Sequence, residues 1–98
     1  MVAAIHPLDK PPVALVIGAG DATGGAIARR FAREGLQVCA TRRHADKLEP
    51  LLAQIRLEGG VAHGFGSDAR DEDAVVVLVA QIEATIGPIE VLVFNIGA

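Results

Sequence analysis

The chain has 98 residues, a net charge of −3 and a hydrophobic content of 51%. That length allows one domain, and the composition is typical of a soluble globular protein without a basic surface for nucleic acid or membrane. Cys39 is the only cysteine, which excludes an intrachain disulfide and favours a reducing compartment. We therefore expect a cytoplasmic protein.

The N-terminal segment 1–12 contains two adjacent prolines and no long apolar run. We predict an extended arm here rather than a signal peptide, followed by a dinucleotide-binding domain over residues 13–98. Four short, continuously apolar runs are typical of strands buried on both faces of a parallel sheet. They cover Val13–Ile17, Gln37–Thr41, Val61–Phe65 and Ile89–Phe94.

Three segments between these runs show apolar residues at helical spacing and end at glycine. They cover Thr23–Glu34, Ala45–Glu58 and Asp71–Ile86. The segment Val75–Val79 has strand propensity by itself, but the helical stripe continues beyond it and acidic residues precede it, so we predict helix. The order is βαβαβαβ, and right-handed crossovers then predict a Rossmann-type parallel sheet with strand order 3-2-1-4.

A glycine-rich turn joins the first strand directly to the first helix, and it is the main candidate for phosphate binding. In that context, glycines allow the backbone to approach a pyrophosphate whose charge faces the helix N-terminus. Thr23 stands where the common dinucleotide spacing needs glycine, and no Lys follows as in a Walker loop. The alternative is a turn that only connects strand to helix. The candidate residues are Gly18, Gly20, Asp21, Thr23 and Gly24.

This turn resembles the pattern T-G-x-x-x-[AG]-x-G of the short-chain dehydrogenase/reductase family. Gly18, Ala22 and Gly24 match the pattern, whereas Ile17 replaces the usual Thr. The resemblance runs from Val13 to the end of the chain. It implies the N-terminal, cofactor-binding half of a nicotinamide-dependent oxidoreductase.

Two further motifs fall where that family has them. Asp68 follows the third strand, and the resemblance implies that its carboxylate and the backbone of Ala69 contact adenine; the alternative is a helix cap. Asn95 and Gly97 match the family's N-N-A-G segment at the end of the fourth strand, whereas its first and third positions differ. The resemblance therefore adds these four residues to the cofactor-binding set.

The residues after the second strand predict the choice of cofactor. An acidic side chain there binds the ribose hydroxyl of NAD, and an arginine accommodates the additional phosphate of NADP. Arg42 occupies that position and Arg43 follows it, so we predict NADP(H), with NAD(H) as the alternative. Asp21 opposes this preference by mild repulsion. The alternative for the arginines is a solvated helix entrance.

The family's chemistry is hydride transfer between the nicotinamide and a small carbonyl or alcohol substrate, with Tyr, Lys and Ser as catalytic residues. The chain contains no Tyr. We identify no catalytic residue and no metal cluster, and we expect a truncated, inactive chain that is one part of a larger reductase. The fourth strand should then expose an apolar edge that favours self-association or homo-oligomers. The alternatives are a non-catalytic dinucleotide-binding module and, less favoured, a flavodoxin-like or epimerase-like domain.

Overall fold

The computed structural model describes residues 10–96, so most of the predicted N-terminal arm and Gly97 lie outside the described residues. The strands are β1 Val13–Ile17, β2 Gln37–Arg42, β3 Ala62–Gly66 and β4 Ile89–Phe94. The α-helices are α1 Ala22–Arg33, α2 Glu49–Leu57 and α3 Glu72–Thr85. These bounds agree with the predicted elements to within a few residues.

The four strands form one parallel sheet in the order β3-β2-β1-β4, which confirms the predicted topology. All five residues of the central strand β1 are buried, because helices cover the sheet on both faces. Val16 packs towards α1 and α2, and its neighbours Leu15 and Ile17 pack towards α3. This two-sided burial explains why β1 is apolar throughout rather than alternating.

The predicted second helix begins as a 3-10 helix over Ala45–Leu48 and becomes α-helical only at Glu49. Pro50 is the physical reason. A regular α-helix starting at Ala45 would need the amide of residue 50 to donate to the carbonyl of Asp46, and proline has no N–H. The Glu49 N–H donates to that carbonyl instead, which tightens the turn.

Helix α3 includes Val75–Val79, where strand propensity and helical periodicity disagree. Val75, Leu78 and Ile82 lie on the face of α3 that packs against the sheet, so tertiary burial favours the helix over local propensity. The Asp71 carboxylate caps the helix by accepting from the Ala74 N–H at 3.1 Å. Within residues 10–96, no helix is both long and apolar enough to cross a membrane.

Strand β4 forms one edge of the sheet, and its pairing with β1 is irregular. Val13 pairs with Ile89 and Ala14 pairs with Val91, so one residue of β4 is inserted between these two pairs. The insertion turns Leu92 and Phe94 towards the face that α3 covers elsewhere. They remain 53% and 52% exposed at this edge of the sheet.

Candidate functional site

A cleft of about 500 Å³ opens at the carboxyl ends of the four strands. This is the edge of a parallel α/β sheet where ligands bind, beside the strand at which the order reverses. The glycine turn, the end of β2, the β3–α3 turn and the end of β4 all contribute to its walls. Eight of the predicted residues line it: Gly18, Gly20, Asp21, Arg42, Arg43, Asp68, Ala69 and Asn95.

The glycine turn passes so close to the end of β4 that two of its positions, Gly18 and Gly24, have no room for a side chain. Gly18 has φ of +87°, and a Cβ there would overlap the Asn95 carbonyl, whose carbon would be 2.9 Å away. A Cβ at Gly24 would lie 2.8 Å from the Cα of Ala19 and 3.0 Å from Nδ2 of Asn95. These two glycines therefore allow the turn to fold tightly against β4 and leave its backbone accessible from the cleft.

Asp21 links the turn to both α1 and β4. Its Oδ1 accepts a hydrogen bond from the Gly24 N–H at 2.6 Å, which caps α1, and another from Nδ2 of Asn95 at 3.1 Å. The same Asn95 amide donates to the carbonyl of Gly18 at 2.9 Å. The Asp21 carboxylate is thus held in place at the positive end of the helix dipole, a role that the sequence analysis did not assign to it.

Arg42 and Arg43 provide positive charge at the mouth of the cleft. The guanidinium of Arg42 lies against Gly20, where a Cβ would be 2.9 Å from Cζ. Within residues 10–96, neither arginine is within salt-bridge distance of a carboxylate. Their charge is therefore available to an anionic ligand beside the glycine turn.

Asp68 forms a tight turn at the opposite wall. Its Oδ1 accepts from the Arg70 N–H at 2.9 Å, and its carbonyl accepts from the Asp71 N–H at 3.0 Å. The helix cap of α3 is therefore Asp71, and Asp68 lies exposed on the cleft wall next to Ala69. The position is compatible with the adenine contact that the family resemblance implies.

Thr23 and Gly24 do not line the cleft, although both were in the predicted set. Thr23 is exposed in the first turn of α1, and Gly24 is buried beneath the glycine turn, where its role is close packing.

The structure adds residues to the cleft wall that the sequence analysis missed: Thr41, His44, Ser67, Arg70 and Ile96. Thr41 is 1% exposed, and its Oγ1 has no hydrogen-bond partner among residues 10–96; the same holds for the buried Oγ of Ser67. The sequence did contain a signal for Thr41, because this polar residue directly follows the apolar run Val38–Ala40.

These features fit a dinucleotide. The glycines of the turn leave room for a pyrophosphate beside its backbone, and the arginines fit a further phosphate. Within the described part of the chain, no cluster of three or more His, Cys, Asp or Glu residues could hold a metal ion.

Comparisons with known proteins agree with this geometry. The family model described as short chain dehydrogenase matches residues 12–98. The chain is 36% identical over 81 residues to 2,3-dihydro-2,3-dihydroxybenzoate dehydrogenase of Bacillus subtilis, covering 83% of this chain and 31% of the relative. It is 40% identical over 83 residues to serine 3-dehydrogenase of Agrobacterium fabrum, covering 85% and 32%. The chain thus spans about a third of the length of these relatives.

Solved structures give the same result. A metagenomic short-chain oxidoreductase in complex with NADP superimposes with a TM-score of 0.84 at 34% identity, covering 89% of this chain and 39% of that one. An actinorhodin polyketide ketoreductase variant with NADPH gives 0.83 at 37% identity, covering 96% and 36%. Together with the strand order and the glycine turn, these matches establish that the chain belongs to the short chain dehydrogenase family.

Proposed function

We propose that this chain binds a nicotinamide dinucleotide, preferably NADP(H), as the cofactor-binding part of an oxidoreductase acting on a carbonyl or alcohol substrate. The observation that carries the proposal is the pair Arg42 and Arg43, which form no ion pair within the described residues. The pair lies beside a turn in which position 18 has room only for glycine. The similar structures containing NADP and NADPH support the same ligand class.

Each wall of the cleft has a separate role in this proposal. The first turn of α1 offers backbone N–H groups to the pyrophosphate, because Asp21 caps only the Gly24 amide. Arg42 provides a planar, charged donor for the 2′-phosphate. Asp68 and Ala69 border the adenine, and Asn95 holds the glycine turn in position. The nicotinamide, when bound, supplies or accepts the hydride.

The cofactor preference is tested by calorimetric titration of the wild-type chain with NADP(H) and NAD(H). Loss of a charge-assisted contact costs about 1.5–3 kcal/mol, so Arg42→Asp should weaken NADP(H) at least about tenfold and favour NAD(H). Arg33→Asp is the matched control, since Arg33 is exposed on α1, does not line the cleft, and its substitution makes the same change in net charge. Equal affinity of the wild type for both cofactors would refute the assignment.

The chemical step requires groups that this chain does not contain. The 98 residues include no Tyr, the residue that acts as acid/base in the chemistry that the family resemblance implies. We therefore propose that the isolated chain binds cofactor without turnover, and that the catalytic residues belong to the rest of a longer protein. NADPH oxidation by the isolated chain with a panel of aldehydes and ketones would contradict this. The second candidate, a non-catalytic binding module, is favoured by the same lack of Tyr.

We also propose self-association through β4, in a reducing compartment such as the cytoplasm. Leu92 and Phe94 are half exposed at the sheet edge, and Val76 of α3 is 62% exposed. Val76 lies on the same side of α3 as Glu83, two helical turns away, and the Glu83 carboxylate accepts from the Ile89 N–H at the start of β4. We therefore infer that Val76, Leu92 and Phe94 border one apolar surface. Sedimentation velocity should show oligomers that Phe94→Lys dissociates. A wild-type monomer at micromolar concentration would exclude this interface.

A further inference from the structure

The end of β2 is bonded directly to the glycine turn, and this brings the side chain of Arg42 to the turn. The carbonyl of Thr41 accepts hydrogen bonds from the N–H groups of Gly18 and Ala19, at 3.1 and 2.9 Å. On the other side of β2, the Arg42 carbonyl accepts from the Ser67 N–H at 3.0 Å. Main-chain hydrogen bonds on both sides therefore fix the backbone from which the arginine side chain extends.

Gly20 is the residue of the turn that the guanidinium of Arg42 contacts. A Cβ on Gly20 would lie 2.9 Å from Cζ, 2.9 Å from Nε and 3.0 Å from Nη1 of that arginine. Gly18 and Gly24 differ, because the atoms that a Cβ there would meet first belong to the backbone. The φ angle of Gly20 also lies outside the left-handed region, so its backbone conformation does not require glycine. The space that the arginine occupies is what requires glycine at position 20.

No ion pair holds this guanidinium in its position. Among residues 10–96, no carboxylate is within salt-bridge distance of Arg42. An arginine side chain has several rotatable bonds, and fixing them in one conformation costs entropy when a ligand binds. Contact with the backbone at Gly20 restricts the guanidinium before the ligand binds, which lowers that cost. Position 20 is one of the variable positions in the pattern T-G-x-x-x-[AG]-x-G, so the pattern does not account for this glycine.

We propose that Gly20 is a positioning residue that determines cofactor specificity through Arg42. Because Gly20 has no side chain, the guanidinium lies against the glycine turn, and both residues line the cleft. A side chain at position 20 would displace the guanidinium and weaken its contact with the additional phosphate of NADP(H), a contact that NAD(H) does not make. This inference rests on the proposed cofactor binding and extends it to the residue that positions the arginine.

Calorimetric titration of Gly20→Ala with both cofactors tests this role. Its NADP(H) affinity should fall about three- to tenfold, the range expected for one hydrogen bond, and its NAD(H) affinity should stay within about twofold of the wild type. Gly25→Ala is the matched control, because Gly25 lies in α1 outside the cleft and a Cβ there would meet only Leu51, at 3.6 Å. In an Arg42→Ala background, Gly20→Ala should change NADP(H) affinity by less than about twofold, since the arginine through which it acts is absent.

Nuclear magnetic resonance of the wild-type chain supplies a measurement that does not depend on the folding of a variant. Without ligand, nitrogen relaxation at Nε should show a more restricted side chain for Arg42 than for the exposed Arg43. Equal motion of the two groups, or an unchanged NADP(H)-to-NAD(H) affinity ratio in Gly20→Ala, would overturn this inference and leave the proposed cofactor binding intact. A wild-type chain that binds neither cofactor would overturn both.

Discussion

Replacing Gly18 by Ala tests the close approach between the glycine turn and β4, and Gly35→Ala is its matched control. Both glycines have positive φ, +87° and +96°. An added Cβ at Gly35 meets nothing within 4 Å, whereas one at Gly18 would overlap the carbonyl of Asn95. The two variants therefore share the cost of a left-handed backbone and differ only in the collision.

The magnitudes follow from that difference. A left-handed alanine costs about 1 kcal/mol, which in a domain of this size lowers the melting temperature by about 4–8 °C, and this is the full effect expected for Gly35→Ala. The collision at Gly18 involves backbone, which cannot rotate away, so displacement of the β4 end adds about 1–3 kcal/mol. Gly18→Ala should therefore lose about 2–4 kcal/mol and also lose cofactor affinity.

The assay is urea unfolding followed by far-UV circular dichroism, since the chain has neither Trp nor Tyr for fluorescence. Cofactor titration of both variants in native buffer completes the comparison. Equal loss of stability in Gly18→Ala and Gly35→Ala would show that the turn and β4 are not in contact. Unimpaired NADP(H) binding by Gly18→Ala would refute the role of this turn as a phosphate site.

Three further predictions concern other contacts. Asn95→Asp removes two donated hydrogen bonds and adds repulsion against the Asp21 carboxylate, so the free energy of unfolding in urea should fall by about 2 kcal/mol. Adding Asp21→Asn should recover part of that loss, and no recovery would exclude a direct contact between the two side chains. Burial raises the pKa of the Cys39 thiol to about 12, so a disulfide reagent should modify it only after unfolding, and rapid native modification would contradict its burial. Burial, and to a lesser extent the charge of Arg56, lowers the pKa of His63 below its usual value of 6.5. The unfolded chain therefore binds this proton more readily, and the free energy of unfolding should fall as the pH drops below about 6.5. His63→Gln should flatten this pH dependence of stability, and an unchanged slope would exclude His63 as its cause.

The sequence alone determined the order of elements and the sheet topology. Continuous apolar runs, helical stripes and glycine stops are local signals, and right-handed crossovers restrict how four parallel strands connect. Local rules also located the glycine turn and the Arg42–Arg43 pair, because a strand that runs directly into glycines and a helix has few alternative uses. The helix over Val75–Val79 was predictable for the same reason, since its periodicity extends beyond the ambiguous stretch.

Tertiary structure decided the roles of individual side chains in the site. Asp21 and Asn95 are 74 residues apart in sequence, and only the pairing of β4 beside β1 brings the amide to the carboxylate. The burial of the Thr41 hydroxyl depends on the sheet and helices that surround it, and the exposure of Leu92 depends on an inserted residue in β4. Periodicity reports which face of an element is apolar, whereas distant pairing determines which polar groups meet and which remain free to bind a ligand.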